Sequence, residues 1–326
     1  MHVLVTGGAG FIGSHIIKKL RSQNHDVDAI DNHSASEVSL RREKEIEKDK
    51  KVEVWRMDVK DTRTVLKMLK KRKNIDDNSQ IPPVDAIVHL AAPISVEESM
   101  RDPQKYCKEI HGKMIYLLEA AKAENVKRVV IASTAAVYGN PKRLPITEDA
   151  KTNPLSPYAI SKLAADEIAM MYAREHGLET VILRLFNVYG PDQDPASPYI
   201  GFIAKCFQRA RKKEQFVIYG DGNQTRDFVH VEDVVDAIIA ALTRNVEPGS
   251  IINIGSGNST KIIDAARMIA KITGVTEEPK FEPLRKGDVP YSQADISKAR
   301  KTLDYHPKIS LEDGLRNSWE WYKNNK

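Results

Sequence analysis

A tyrosine and a lysine four residues apart, Tyr158 and Lys162, have the clearest chemical potential in this sequence. On a helix, side chains at that spacing lie on the same face. A phenol is protonated near neutral pH because its ordinary pKa is about 10, and a neighbouring ammonium group favours the phenolate. The spacing alone is common among surface residues. Two further features give it weight: a glycine-rich turn near the N-terminal end, and a Ser133-Thr134 step after an apolar segment.

The glycine-rich turn follows an apolar segment at residues 2–5 and precedes a helical pattern that begins at Ser14. Gly7, Gly10 and Gly13 give the spacing Gly-x-x-Gly-x-x-Gly, which lets the backbone turn sharply and approach a pyrophosphate. The helix that follows offers N–H groups and the positive end of its dipole to the phosphates. The strand–turn–helix context therefore predicts a dinucleotide site, and the alternative is a plain tight turn.

Two acidic residues follow the next predicted strands. Asp31 follows the second strand, where a carboxylate accepts hydrogen bonds from the adenosine ribose and repels a 2′-phosphate, so NAD is favoured over NADP. The alternative is a turn-forming aspartate before Asn32. Asp58-Val59 follows the third strand and suits an adenine contact, although an aspartate that caps a helix explains it as well.

The elements that must position these residues alternate along the first half of the chain. Short apolar segments with little internal alternation are typical of parallel strands that are covered on both faces, and helical patterns separate them. The predicted strands of this half are 2–5, 27–30, 52–55, 84–89, 128–133 and 180–185. This order predicts an α/β fold, a Rossmann-type doubly wound parallel sheet.

The second half predicts a smaller C-terminal α/β lobe. Its predicted strands are 216–219 and 251–254, its predicted helices are 231–242 and 262–272, and residues 187–197 and 74–83 read as loops. We assign residues 1–180 to a nucleotide-binding domain and 181–326 to a substrate-binding lobe interleaved with it. The segment 231–254 is expected to return to the main sheet.

Bulk properties narrow the function classes. With 41% hydrophobic and 29% charged residues and a formal charge of +5, the 326-residue chain is typical of a soluble globular protein. Basic runs at 41–51 and 67–73 are interpreted as solvated helix faces, and a nucleic-acid partner is not expected. Cys107 and Cys206 fit neither a disulfide framework nor a metal site, so a reducing cytoplasm is expected. No apolar stretch suggests a membrane span, and a strand that begins at His2 leaves no room for a signal peptide.

Together, these motifs resemble the extended short-chain dehydrogenase/reductase superfamily, and within it the UDP-glucose (UDP-galactose) 4-epimerases and related nucleotide-sugar 4-epimerases. The resemblance covers essentially the whole chain. Besides the glycine turn, Asp31-Asn32, Asp58-Val59 and the Tyr158/Lys162 pair, the matching segments in chain order are His89-Leu90-Ala91-Ala92, Ser133-Thr134-Ala135-Ala136-Val137-Tyr138-Gly139, Arg184-Leu185-Phe186-Asn187-Val188-Tyr189-Gly190-Pro191, Arg226-Asp227-Phe228 and Arg285-Lys286-Gly287-Asp288.

The resemblance implies a catalytic triad of Thr134, Tyr158 and Lys162, with NAD as the cofactor and no metal. Tyr158 would take the proton of a sugar hydroxyl, Thr134 would orient that hydroxyl, and Lys162 would favour the phenolate and hold the nicotinamide ribose. With Tyr158 and Lys162, the residues implied in cofactor binding are Gly7, Gly10, Phe11, Ile12, Gly13, Asp31, Asn32, Ser36, Asp58, Val59, Leu90, Ala91, Ala92 and Phe186.

The two residues after Thr134 separate the possible reactions. Similar 4,6-dehydratases carry Asp-Glu there, and similar UDP-glucuronate decarboxylases carry Glu just before the valine, whereas this chain has Ala135 and Ala136. An elimination needs an acid that protonates the leaving hydroxyl, and alanine supplies none. We therefore expect the sugar, once its C4 hydroxyl has been oxidised to a ketone, to be reduced again. C4 is inverted when the keto sugar turns over before the hydride returns.

A nucleotide diphosphate needs cations, for which the arginine fork is well suited. By the resemblance, Arg226 and Arg285 would hold the diphosphate, with surface salt bridges as the alternative. Tyr219 would stack on the uracil unless it is a core aromatic, Asn187 would bind the diphosphate, and Asp288 the uridine ribose. The residues implied in substrate binding are Thr134, Tyr158, Asn187, Val217, Tyr219, Arg226, Arg285, Asp288 and Ser292. A small Ser292 predicts that N-acetylated sugars are also accepted.

Some positions depart from the pattern. Glu109 replaces an asparagine that usually lies beside the cofactor, Ile94 replaces a polar contact to NAD, and Pro195-Ala196 replaces an asparagine that binds substrate. His89 and His230 are interpreted as structural. The alternatives are a UDP-glucuronate 4-epimerase, another nucleotide-sugar reductase or epimerase, and a non-catalytic NAD-binding regulator. By the resemblance, helices at 103–124 and 156–176 would pair two subunits in a homodimer.

Overall fold

The computed structural model describes residues 1–34, 38–70, 72–73, 80–194, 201–284 and 288–324. Ser36, Arg285 and the Pro195-Ala196 pair lie outside these ranges, so their predicted roles stay predictions. The strands are β1 (His2–Thr6), β2 (Asp26–Asp31), β3 (Val52–Arg56), β4 (Arg72–Lys73), β5 (Gln80–Ile81), β6 (Ala86–His89), β7 (Arg128–Thr134), β8 (Glu179–Leu185), β9 (Asn187–Tyr189), β10 (Val217–Tyr219), β11 (Thr225–Arg226), β12 (Phe228–His230), β13 (Ser250–Ile254), β14 (Thr260–Lys261) and β15 (Lys280–Glu282).

The helices follow in the same numbering. The α-helices are α1 (Phe11–Ser22), α2 (Val38–Ile46), α3 (Thr62–Leu69), α4 (Val96–Arg101), α5 (Pro103–Cys107), α6 (Lys113–Ala123), α7 (Pro157–His176), α8 (Phe202–Arg211), α9 (Val231–Thr243), α10 (Ile262–Thr273), α11 (Ser297–Leu303) and α12 (Leu311–Asn324). A π-helix at Lys108–Gly112 joins α5 to α6, and a 3₁₀ turn at Ala135–Tyr138 follows β7.

Seven strands form the main sheet in the order β13-β8-β7-β6-β1-β2-β3. The chain winds outward from β1 in both directions, and the pairs β1–β2, β1–β6, β2–β3 and β6–β7 are all parallel. This is the strand order of a doubly wound Rossmann-type sheet, so the predicted fold class is confirmed. The predicted return of 231–254 is observed as β13, which lies beside β8 at the sheet edge.

The strands form where the sequence is apolar without alternation, because both faces of the sheet are covered. Val3, Leu4 and Val5 of β1 are fully buried, and the whole of β1 and β6 is buried. The edge strand β3 differs, since Glu53 and Arg56 are exposed. Burial at the centre of the sheet holds the carboxyl ends of β1, β2 and β6 in register, and the loops that could bind a cofactor leave from those ends.

The chain divides into two compact units. Unit 1 comprises Met1–Thr134, Ser156–Arg184 and Ile238–Ile252, and unit 2 comprises Ala135–Leu155, Leu185–Ala237 and Asn253–Lys326. Compared with the domains predicted from sequence, unit 2 takes the segment Ala135–Leu155 in addition. Its core lies among α8, α10 and α12, where Phe207 packs on Tyr322 and stacks on Trp319 with ring centroids 5.2 and 5.7 Å apart.

Two local features differ from the predicted elements. The single helix expected at 103–124 is interrupted by the π-helix Lys108–Gly112, a widening that occurs frequently at functional sites. In the predicted loop 74–83, Gln80–Ile81 pairs antiparallel with Arg72–Lys73. Within the described ranges, no helix combines the length and the apolar character that a bilayer crossing requires.

Candidate active site

The predicted triad comes together in unit 1. Helix α7 begins where Ser156 caps it, with its hydroxyl 3.2 Å from the Ala159 N–H, and Pro157 follows as the first helical residue. Tyr158 therefore lies in the first turn and Lys162 in the second, with only 9% and 8% of these residues exposed. The hydroxyl of Thr134, the last residue of β7, hydrogen-bonds the Tyr158 phenol, and the Lys162 ammonium donates to the Ala132 carbonyl at 2.9 Å.

Burial dominates the electrostatics of the triad. It raises the pKa of the Tyr158 phenol, against the opposing effect of the Thr134 hydrogen bond. It lowers the pKa of Lys162 to about 8, against the opposing effect of the Asp166 carboxylate. The direction at Tyr158 is opposite to the one expected from the Tyr–Lys spacing, because burial outweighs the Thr134 hydrogen bond and the nearby Asp166 carboxylate adds to the rise. The protein alone therefore holds a neutral phenol.

Sequence reasoning missed a buried ion pair behind the triad. Asp166 is one turn beyond Lys162 on α7, is fully buried, and accepts a hydrogen bond from the Arg184 Nε at 3.0 Å. Burial raises the pKa of Asp166, while Arg184 and the Ser133 hydroxyl oppose that rise. Because a buried guanidinium stays charged, Arg184 favours the ionised form of Asp166, and the Asp166 carboxylate in turn favours the ammonium form of Lys162. The four-residue spacing of Lys162 and Asp166 was the available sequence signal.

The glycine turn has the shape that a pyrophosphate needs. Gly7 has a φ of +73°, which favours glycine, and its N–H bonds the Ile30 carbonyl at 2.7 Å. A Cβ on Gly13 would lie 2.2 Å from the Gly7 carbonyl oxygen. Helix α1 begins at Phe11 rather than at the predicted Ser14, and its capping residue Gly10 makes no side-chain cap. The first N–H groups of α1, including those of Phe11 and Ile12, therefore suit an anionic ligand, and the turn fits the pyrophosphate of NAD.

Asp31 is fixed against the same turn. One carboxylate oxygen accepts from the Ala9 N–H at 3.0 Å, and the other accepts from the His33 N–H at 2.8 Å. Each carboxylate oxygen accepts up to two hydrogen bonds, so both oxygens retain capacity for ribose hydroxyls. The carboxylate and the phosphate-binding turn are thus held as one unit.

Asp58 lies beyond β3 and is joined to Asn32, which follows β2. The Asn32 amide donates to the Asp58 Oδ2 at 3.3 Å, and the Lys60 N–H donates to Oδ1 at 3.0 Å. Lys113, which sequence reasoning missed, also donates to Asp58 Oδ2. Burial raises the pKa of Asp58, but these donors outweigh it and the pKa is lowered overall.

The segment after β6 packs directly on the glycine turn. The Leu90 N–H bonds the Thr6 carbonyl at 3.0 Å, and a Cβ on Gly7 would meet the Ala91 nitrogen at 2.9 Å. His89 shares a 2.8 Å hydrogen bond with the Thr6 hydroxyl, and burial with the nearby Lys162 lowers its pKa to about 3. A neutral, hydrogen-bonded His89 is consistent with the structural role expected for it. Val59 is buried, while Leu90, Ala91 and Ala92 are partly exposed at this edge.

The residues that were predicted to bind the nucleotide part of the substrate lie in unit 2. Val217 and Tyr219 are half-buried on β10 and flank the fully buried Ile218, so they share the face of the strand opposite Ile218. This placement argues against Tyr219 as a core aromatic. Phe186 bonds the Ile254 carbonyl through its N–H at 2.9 Å, and Asn187 follows it with an exposed side chain.

Arg226, Asp288 and Ser292 lie near one another. The Arg226 guanidinium donates to the carbonyls of Thr225 and Val289 at 2.8 and 2.7 Å. Burial lowers the pKa of Arg226, and the nearby Asp288 carboxylate opposes the shift. Ser292 is 9% exposed, and its N–H bonds the Thr225 hydroxyl at 3.4 Å. The two carbonyls thus fix the half-buried Arg226 guanidinium in place, and its role toward a diphosphate stays a prediction.

Comparison with known proteins agrees with this geometry. The model of the NAD dependent epimerase/dehydratase family matches residues 3–255. A putative UDP-glucose 4-epimerase of Methanocaldococcus jannaschii is 37% identical over 325 residues, covering 99% of both chains. Among solved structures, UDP-glucose 4-epimerase from Thermotoga maritima with UDP-glucose is 34% identical with a TM-score of 0.89, covering 99% of both chains. UDP-glucuronic acid 4-epimerase from Bacillus cereus, in complex with UDP-glucuronic acid and NAD, is 32% identical with the same TM-score and coverage.

These matches span nearly the whole chain and include the glycine turn, the triad and the second unit. The non-catalytic alternative is therefore excluded, and the predicted cofactor, NAD, is confirmed. The chain belongs to the NAD dependent epimerase/dehydratase family, and within it to the NAD-dependent isomerases of the epimerase type.

Proposed function

We propose that the protein inverts C4 of a UDP-hexose, UDP-glucose or UDP-galactose, through a transient 4-keto sugar. The observation that carries this proposal is the hydrogen-bonded Thr134–Tyr158 pair with Lys162 one turn further along α7. Tyr158 and Lys162 are buried, Thr134 is half-buried, and Ala135 and Ala136 directly follow Thr134. The set supplies a base and its orienting groups, while the two alanines supply no acid for elimination. The relatives named above as UDP-glucose 4-epimerases support the choice of sugar nucleotide.

In the mechanism, Tyr158 moves one proton in each direction. As phenolate, the Tyr158 oxygen takes the proton of the sugar C4 hydroxyl. Thr134, whose hydroxyl hydrogen-bonds Tyr158 in the protein alone, would orient that sugar hydroxyl. When bound, NAD would supply the acceptor and donor of the C4 hydride, and its positive charge would favour the phenolate. After the keto sugar turns over, Tyr158 returns the proton to the C4 oxygen. No proton or hydride is consumed overall, so no external reductant is needed.

The second unit supplies groups that suit the nucleotide rather than the sugar. We assign the diphosphate to Arg226 and Asn187, the uracil to Tyr219 and Val217, and the uridine ribose to Asp288. Arg285 is a second candidate for the diphosphate. Because these residues bind the nucleotide and not the sugar, the keto sugar is free to turn over, which inversion at C4 requires.

A direct product assay tests the proposal. The purified protein is incubated with UDP-glucose, UDP-galactose, their N-acetyl forms and UDP-glucuronate, without added reductant, and the products are separated by chromatography and mass. Interconversion of C4 epimers of unchanged mass is expected with UDP-glucose and UDP-galactose. A product that has lost water or carbon dioxide contradicts the proposal. Turnover of UDP-glucuronate alone supports the second candidate, a UDP-glucuronate 4-epimerase, which the similarity to the Bacillus cereus structure favours.

The pKa of Lys162 predicts an alkaline limb in the activity profile. Because this pKa is lowered to about 8, raising the pH through that value removes the ammonium charge that favours the phenolate. We expect kcat/KM to fall above pH about 8. In Lys162→Arg the charge persists, so the limb should move to higher pH even if overall activity is lower. Steady-state kinetics from pH 6 to 10 measure this, and identical limbs in both proteins would contradict it.

Ser292 predicts the breadth of the sugar pocket. It is small and nearly buried beside Thr225, so Ser292→Tyr places a ring where the protein now has a hydroxyl. We expect the variant to lose turnover of UDP-N-acetylglucosamine at least about tenfold more than turnover of UDP-glucose. Ser297→Tyr, at an exposed position, is the matched control. Equal losses of both substrates in Ser292→Tyr would refute this role.

We also propose that two copies pair through α6 and α7. These helices expose apolar side chains, Ile115 and Tyr116 on α6 and Ile160 on α7, of which 39%, 52% and 53% is exposed in the single chain. Light scattering should give the mass of a dimer, and Ile160→Glu should give that of a monomer, while Glu175→Gln near the end of α7 should not. A monomeric wild-type protein would refute the pairing.

A further inference from the structure

Lys113 is a buried cation near the predicted cofactor site. Its side chain is 9% exposed, and burial of an ammonium group is costly unless it is paired. Its ammonium donates to two carboxylates, those of Asp58 and Glu109. Burial lowers the pKa of Lys113, but the two carboxylates outweigh this and raise it overall. The ammonium therefore stays charged and holds both acids.

Glu109 owes its position to the π-helix Lys108–Gly112. It lies four residues before Lys113, and the two side chains form an ion pair across the point where the π-helix becomes α6. Glu109 therefore acts through Lys113, which it anchors from the helix side, while Asp58 approaches from the sheet side. Glu109, which replaces the asparagine that usually lies beside the cofactor, is thus paired with the Lys113 ammonium.

The three donors to Asp58 are unequally distributed. Oδ2 receives the Lys113 ammonium and the Asn32 amide, whereas Oδ1 receives the Lys60 N–H. A carboxylate oxygen accepts about two hydrogen bonds, so Oδ1 has room for one further donor. Asn32 follows Asp31, whose carboxylate is bonded to the glycine turn, which ties Asp58 to the cofactor end of unit 1.

We propose that Lys113, anchored by Glu109, fixes the Asp58 carboxylate so that Oδ1 accepts a hydrogen bond from the 6-amino group of the adenine in NAD. Lys113 and Glu109 are then positioning residues for recognition of the base. The inference rests on the adenine contact proposed for Asp58 and is independent of the sugar that is epimerised.

Competition between two dinucleotides tests the inference. Nicotinamide hypoxanthine dinucleotide carries an oxygen acceptor in place of the 6-amino donor. The purified protein is equilibrated with equal concentrations of NAD and this analogue, and the ratio of the bound dinucleotides is measured by chromatography after gel filtration. For a hydrogen bond to a charged group, we expect wild type to prefer NAD by about ten- to a hundredfold.

The variants separate the possible roles. Lys113→Met should lower the preference for NAD to within about threefold of unity, and Lys113→Arg should keep most of the wild-type preference. The matched control is Lys122→Met, which loses a lysine–glutamate pair on the same helix and should not change the preference. Asp58→Asn presents an amide donor and should lower or reverse the preference. If Asp58→Asn leaves it unchanged, the adenine contact is wrong. A melting curve shows whether Lys113→Met is folded. If Asp58→Asn lowers the preference for NAD but folded Lys113→Met does not, the role proposed for Lys113 is wrong. If Lys113→Met does not fold, Glu109→Gln is measured in its place, and an unchanged preference in that variant contradicts the role proposed for the Lys113–Glu109 pair.

Discussion

Tyr158→Phe lowers the kcat of epimerisation by about a hundred- to ten-thousand-fold, the range expected for loss of a general base. The variant keeps the ring, which packs edge-to-face on Tyr106 with centroids 6.3 Å apart, so the fold should be retained. What it loses is the oxygen that takes and returns the C4 proton. Because substrate and cofactor contacts persist, the KM for the nucleotide sugar should change by less than about threefold. Initial rates with UDP-galactose at saturation measure the effect.

Tyr172→Phe is the matched control for this experiment. Tyr172 lies on the same helix, and its hydroxyl bonds Glu119 at the end away from Thr134. Removing that hydroxyl should leave kcat within about twofold of wild type, because Tyr172 lies about four helical turns beyond Tyr158 on α7. A Tyr158→Phe protein with more than a tenth of wild-type kcat would show that another group moves the proton.

The fold and the cofactor end were predictable because local patterns determine them. Strands covered on both faces are apolar without alternation, and the segment 2–5 is such a pattern at the centre of the sheet. Gly7, Gly10 and Gly13 were readable because the turn excludes side chains at those positions. Tyr158 and Lys162 were readable because one helix turn sets their spacing.

The charge environment of the site was not predictable, since it depends on residues distant in sequence. Arg184 lies on β8 and pairs with Asp166 on α7, and the Asp166 carboxylate in turn raises the pKa of Lys162. Lys113 was missed because its partner Asp58 lies 55 residues earlier, although its other partner, Glu109, is one turn away. The expected direction of the Tyr158 pKa was wrong for the protein alone, because burial and the nearby Asp166 carboxylate raise this pKa more than the Thr134 hydrogen bond lowers it.

Gly13→Ala should weaken the binding of NAD and destabilise the fold. The added Cβ would lie 2.2 Å from the Gly7 carbonyl oxygen and 2.8 Å from the Gly8 Cα, and both are backbone atoms of the phosphate turn. Neither has a rotamer that relieves the overlap, so α1 and the turn must move apart. We expect the free energy of unfolding to fall by about 1–3 kcal/mol, as at other overpacked sites, and the affinity for NAD to fall at least about tenfold.

The two effects are separable by melting with and without NAD. A ligand that binds only the folded state stabilises it by an amount that grows with the logarithm of its affinity, so excess NAD should raise the melting temperature of wild type more than that of Gly13→Ala. Gly274→Ala is the control: its φ of +79° makes alanine strained, yet a Cβ there meets no atom within 4 Å. It should lower stability by about 1 kcal/mol and leave stabilisation by NAD intact. If Gly13→Ala kept the full response to NAD, the turn would not be the pyrophosphate site, because no anion can use N–H groups that have been displaced from it.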